Sequence, residues 1–188
     1  MRIGLDFDGV LVDHGEHKLR LAAARGFNLE RWQANTNLMQ EFLPEEDYRE
    51  IKEAIYTLLT PHAPPVKGML EHLDALEGEL YLISARRTDS IRFAQDWMQH
   101  HRIYDRIPAE RVYFCSNSSE KYTYIQRLGI EAYLDDKVSV LESLPYQTRK
   151  FLLDPDGIAE RYELRSDIEV VPHWRDFVRM LQEKKEKA

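Results

Sequence analysis

Five short apolar runs set the main constraint on this chain: RIGLDF from Arg2, ELYLIS from Glu79, RVYFCS from Arg111, EAYLDD from Glu131 and KFLLD from Lys150. Each has the length of a strand and little polar alternation, as expected of strands covered on both faces. Between most of them lie segments with apolar residues at helical spacing, such as Ile91, Ala94 and Met98, then Tyr122, Ile125 and Leu128. Strands alternating with helices require crossover connections, which predicts an α/β fold with a mainly parallel sheet.

The rhythm breaks once. The first strand ends near Asp8 and the next begins near Glu79, so something is inserted between them. Within that interval His14 to Arg25, Leu29 to Phe42 and Glu45 to Leu59 read as helices, punctuated by Pro44 and by the PHAPP run from Pro61 to Pro65. The expected organisation is a core of residues 1–13 and 66–188 with a helical insertion over 14–65. Val171 to Lys187 reads as a terminal helix with a basic last turn.

The chain has 188 residues, 43% hydrophobic and 31% charged, which suits one well-filled core with an appendage. No apolar run approaches the roughly 20 residues of a membrane span. The formal charge of −7 disfavours a nucleic-acid polymer as partner. The single cysteine, Cys115, excludes an internal disulfide and reads as a buried thiol, and the N-terminus lacks an export signal, so a cytoplasmic location is expected. The sequence carries no signature of a particular oligomeric state.

In open parallel sheets reactive groups gather beyond the carboxyl ends of the strands. The runs here end in Asp6-Phe7-Asp8-Gly9, in Ser84-Ala85-Arg86-Arg87, in a segment leading to Lys121, and in Asp135-Asp136. In an extended strand Asp6 and Asp8 point the same way while Phe7 faces the core, and Gly9 permits a sharp turn or a close approach. The bland reading is a pair of acids capping a strand; an EF-hand lacks its remaining oxygen ligands. Asp135-Asp136 could be an ordinary turn, yet with the first cluster it completes an oxygen-rich site suited to Mg²⁺. Asn117 and Glu120 form a capping pair, which puts Lys121 in the first turn of a helix, where a cation opposes the dipole. A solvated surface position would explain that lysine, as would an anion such as phosphate in front of it. Ser84 and the backbone N–H groups that follow, of Ala85 and Arg86, offer further donors.

Asp6-Phe7-Asp8-Gly9-Val10-Leu11-Val12-Asp13, then Ser84, Lys121 and Asp135-Asp136, in that order, resemble the signatures of the haloacid dehalogenase (HAD) superfamily of phosphohydrolases. The resemblance implies a three-layer Rossmann-like fold with a small helical cap after the first strand, and the DGV variant looks most like the 5'(3')-deoxyribonucleotidase branch. It further implies a Mg²⁺-dependent phosphatase in which Asp6 attacks phosphorus to give an aspartyl phosphate, and Asp8 protonates the leaving oxygen and then activates water. Asp6, the carbonyl of Asp8 and Asp136 would hold the metal, with Asp135 behind them or reaching it through water. Ser84, Ala85, Arg86, Gly9 and Lys121 would surround the phosphoryl group. Asp13 receives no catalytic role. The substrate would be a small phosphorylated metabolite, such as a 5'- or 3'-nucleotide. Trp32, Phe42, Tyr48 and Tyr56 could stack on a base or form the core of the insertion, and Asn35, Thr36 and Asn37 could bond a base or sugar or merely interrupt a helix. Arg86 and Arg87 could reach a second anionic group or lie in a solvated loop. The competing classes are a phosphoaspartate receiver domain, disfavoured because Lys121 precedes the closing acidic pair, and a silent phosphate- or metal-binding module. No G-x-G-x-x-G supports dinucleotide binding.

Overall fold

The computed structural model describes residues 1–35 and 37–183. Six strands, β1 (Arg2–Leu5), β2 (Glu79–Ala85), β3 (Val112–Cys115), β4 (Ala132–Asp135), β5 (Arg149–Leu153) and β6 (Ile168–Val171), form one sheet in the order β3-β2-β1-β4-β5-β6. Every neighbouring pair is parallel, with Ile3 in register with Leu80 on one side and Ala132 on the other. The helices are α1 (Gly15–Ala24), α2 (Glu45–Tyr56), α3 (Met69–Ala75), α4 (Ile91–His100), α5 (Ser118–Arg127), α6 (Val138–Ser143) and α7 (Trp174–Glu183).

The strands are apolar throughout because both faces are covered. One face packs Ile3, Leu5, Leu82 and Leu134 against α3, α4 and α7, with Trp97 and Phe177 fully buried there. The other packs Ile83, Tyr133 and Leu152 against Ile125 of α5 and Leu141 of α6. Phe7 is buried in the first layer, edge-on to Trp97 at 5.3 Å. The three-layer architecture expected from the sequence is therefore present.

The chain order turns at β1, whose neighbours β2 and β4 lead the sheet in opposite directions. Such a switch point opens a crevice at the strand ends. The insertion leaves and returns beside it: Val12 pairs antiparallel with Pro65, and the Asp13 and Val66 amides donate to Pro64 and Leu11. Between these points α1 and α2 pack around Ala22, Met39, Ile51 and Ile55.

Three expectations need correction. Leu29 to Phe42 is not a helix but two short 3₁₀ turns, Arg31–Ala34 and Met39–Glu41. The Asn35 side chain accepts from the Asn37 backbone amide, competing with a helical ladder. β6 went unforeseen, because it is a short edge strand with Glu169 in it and Val170 open to solvent. Val171 accordingly belongs to β6, the terminal helix begins at Trp174, and its expected basic end lies outside the described residues.

Candidate active site

The ends of β1, β2 and β4 and the start of α5 bring Asp6, Ser84, Lys121, Asp135 and Asp136 together, all at most 7% exposed. Asp6 follows directly from β1, and its amide donates to Leu134 of β4, which fixes its height beside the acidic pair. Lys121 Nζ donates to Asp135 Oδ2 at 2.8 Å and stands 2.9 Å from Asp6 Oδ1, an ion contact without hydrogen-bond geometry. Asn117 caps α5 by accepting from the Glu120 amide, so the awkward place of Lys121 in the helix is explained by the two carboxylates it faces.

Asp135 is fully buried and both its oxygens are committed, one to Lys121 and the other to the Lys137 amide. Asp136 faces the cavity instead, packed against Gly9 at φ +82°. Oxygens of Asp6, Asp135 and Asp136 lie within 4.8 Å of one another. Burial, then the neighbouring carboxylates, push Asp136 up to about 8, and burial lifts Asp6 to about 6 against the pull of Lys121. Asp6 and Asp136, two buried acids that resist ionising beside the Asp135 carboxylate, with one Asp6 oxygen left without a hydrogen bond, offer the oxygen donors a hard divalent cation fits.

Asp8 has a different environment. The Arg86 guanidinium donates to both its oxygens, at 2.6 and 2.9 Å, and His14 Nε2 lies 2.9 Å from Oδ1. Burial opposes charge on Asp8, but these partners prevail and hold the carboxyl well below the usual carboxylate range. Burial pushes His14 below its usual value, so a neutral ring donates through Nε2 and leaves Nδ1 without a partner.

The expectation that Arg86 contacts a phosphoryl group is not met. Its amide donates to Cys115 in the sheet, and its guanidinium is filled by Asp8, the Tyr56 and Ser90 carbonyls and the Thr60 hydroxyl, between the rings of Phe7 and Tyr56. Arg87 pairs with Asp89 at the surface. Ser84 is buried beside Asp6, where its hydroxyl favours the Asp6 carboxylate, whereas Ala85 lines the cavity. Cys115 is buried, and burial lifts its thiol to about 11, as befits an inert position.

The cavity, about 430 Å³, has its floor at Asp6 and Asp136. The insertion contributes Tyr48, Lys52 and Tyr56 to its walls, and the core contributes Lys137 and Tyr162. Trp32 and Phe42 instead pack edge-to-face on each other, with Arg161 over Trp32 at 3.8 Å. Asn37 is occupied as a bridge, donating to the Asp136 carbonyl and accepting from the Val138 amide; Thr36 lies outside the described residues. Asp13 accepts two bonds from Arg31 and one from the Gly15 amide, and Arg31 also reaches Asp156, so Asp13 ties the insertion to the core.

His14 and Lys18, both from the insertion, are site neighbours that the sequence did not single out, whereas Tyr56, one of the aromatics considered for stacking, does line the cavity. Lys18 is buried on α1 with Asp136 as its strongest charged neighbour. The only sequence hint was its place one helical turn beyond His14.

No protein-family model matches the chain. A curated protein of Oceanobacillus iheyensis named "Putative nucleotidase OB0422" is 21% identical over 188 residues, spanning 95% of this chain and 97% of that protein. A HAD family hydrolase from Deinococcus radiodurans, solved with phosphate and sodium bound, superposes with a TM-score of 0.63 at 19% identity, covering 97% of this chain and 95% of that one. The HAD hydrolase YfnB of Bacillus subtilis, solved with magnesium, gives 0.61 at 10% identity, with 96% and 97% covered. At these identities the likeness is one of architecture, and the chain has the fold of the HAD hydrolases.

Proposed function

We propose that the protein is a Mg²⁺-dependent phosphatase of small phosphate monoesters, acting through an aspartyl phosphate on Asp6. The observation that carries this reading is that Asp6, Lys121 and Asp136 share the floor of one cavity large enough for a metabolite. Asp6, the Asp8 carbonyl and Asp136 would hold the metal, with Asp135 fixing Lys121 behind them. A bound divalent ion supplies the positive charge that lets an anionic nucleophile approach an anionic ester. Asp6 forms the new bond to phosphorus as the ester oxygen leaves, and water then splits the acyl phosphate. Lys121, at 2.9 Å, restrains Asp6 and faces the phosphoryl oxygens.

Asp8, held as an anion by Arg86, is in the ionisation state that accepts the proton of the attacking water, and the same hold weakens it as a base. Donating a proton to the leaving oxygen requires that Arg86 first loosen its hold, and that arginine is anchored on Tyr56 and Thr60 of the insertion. Movement of the insertion as a cap over the cavity would therefore reach the acid–base group directly. The name of the Oceanobacillus relative favours nucleoside monophosphates as one substrate set.

The test is phosphate release from sugar phosphates and 5'- and 3'-nucleotides with Mg²⁺. Release is expected from the wild type and not from Asp6→Asn, and rapid quenching should trap one phosphoryl group on the intact wild-type chain. Turnover by Asp6→Asn comparable to wild type would reject the assignment of the nucleophile.

A further inference from the structure

Resting on the phosphatase reading, we propose that Lys52 of α2 and Lys137 at the start of α6 form a second anion subsite in the cavity. The physiological substrate then carries two anionic groups, the phosphoryl group that reacts and a further phosphate or carboxylate on its leaving group.

Near the floor each cation is matched: Lys121 faces Asp6 and Asp135, and Arg86 grips Asp8. Lys52 and Lys137 line the same cavity, one from the insertion and the other from the core, and among the described residues neither forms an ion pair. They are near enough to repel: burial lowers the Lys52 ammonium below its usual value, and Lys137 lowers it further. Lys52 lies over the Tyr48 ring at 5.8 Å, which places it along the cavity wall. Glu142 is the only carboxylate lining the cavity, among the described residues, outside the Asp6, Asp8 and Asp136 cluster, so the outer part keeps an excess of one positive charge. Two like charges converging on a polar cavity are a local cost that a visiting anion repays. The volume also exceeds what a lone phosphoryl group needs and falls in the range of small-molecule sites, roughly 300–1,000 Å³.

The test compares matched substrates by kcat/KM. Glycerol 3-phosphate against 3-phosphoglycerate asks about a carboxylate, and uridine 5'-phosphate against uridine 3',5'-bisphosphate asks about a second phosphate. The two-anion member is expected to win by about tenfold or more in at least one pair, as one charge-assisted hydrogen bond would give. That pair identifies the group. Lys52→Gln and Lys137→Gln should each cut the preference by about tenfold, Lys52→Arg should keep it, and raised ionic strength should erode it. Equal kcat/KM within both pairs, or a preference untouched by both glutamine variants, overturns the subsite. Calorimetric binding of the same four compounds to Asp6→Asn reads the ranking without turnover. Equal affinities there overturn the subsite on their own, whereas absence of phosphate release from every compound by the wild type strikes at the phosphatase reading instead.

Discussion

A Cβ atom on Gly9 would lie 2.1 Å from Oδ2 of Asp136, well inside the contact distance of a carbon and an oxygen. The positive φ of Gly9 and the inward position of Asp136 are thus one arrangement, in which the turn after β1 leaves room for the carboxylate that reaches from β4. Gly9→Ala must displace Asp136 and also strain the backbone, at about 1 kcal/mol or more. The expected outcome is a folded protein whose melting temperature no longer responds to Mg²⁺. A wild-type response would separate Gly9 from the metal site.

The acidic floor gives a pH prediction. Asp6 and Asp136 stand at about 6 and about 8 in the folded chain against 3.8 ordinarily, so between these limits the native state binds more protons than the unfolded one. Stability in chelator should therefore fall as pH rises from about 4 to about 8. Mg²⁺ should restore it, increasingly so at the alkaline end, by about 2.7 kcal/mol at a hundredfold excess over its dissociation constant. Asp136→Asn should be more stable than wild type at pH 8 in chelator and indifferent to the ion. Chemical denaturation across pH with and without Mg²⁺ measures all three.

Arg86 and Asp8 respond in the opposite sense. The Asp8 carboxyl is held below its ordinary value, so the stability it contributes is present above about pH 4 and is lost as pH falls through its folded value. Arg86→Gln leaves a buried carboxylate with His14 as its remaining partner and should cost about 3 kcal/mol at neutral pH. The deficit should shrink toward pH 3 as Asp8 becomes protonated. A deficit that does not change with pH would mean that Arg86 acts by packing between Phe7 and Tyr56 alone.

Arg31→Ala should loosen the insertion without touching the floor, since Arg31 joins Asp13 and Asp156 across the boundary. Limited proteolysis should cut the variant faster between residues 25 and 44, and substrate, if it closes the insertion, should protect it. Unchanged cleavage rates would show that the α1–α2 packing suffices.

The sheet could be read from the sequence wherever burial is two-sided, because runs such as Leu80 to Ile83 leave no other fold open to them. β6 escaped because an edge strand needs fewer apolar residues, and 29–42 misled because apolar spacing says nothing of side chains that bind their own backbone. Asp6, Lys121 and Asp136 were legible because the strand order of such sheets delivers their segments to one rim. The environment of Asp8 was not. Its partner Arg86 lies 78 residues away, and only packing against Phe7, Tyr56 and Thr60 decides that the guanidinium turns inward rather than toward a ligand.

The pairing of Val12 with Pro65 means that the excursion starts and finishes at nearly the same spot. Lengthening or exchanging what lies between hardly disturbs the spacing of the strands, since closing a longer loop costs little more than closing a shorter one. A lineage could therefore refit the selective half of the molecule again and again while its reactive half stayed still.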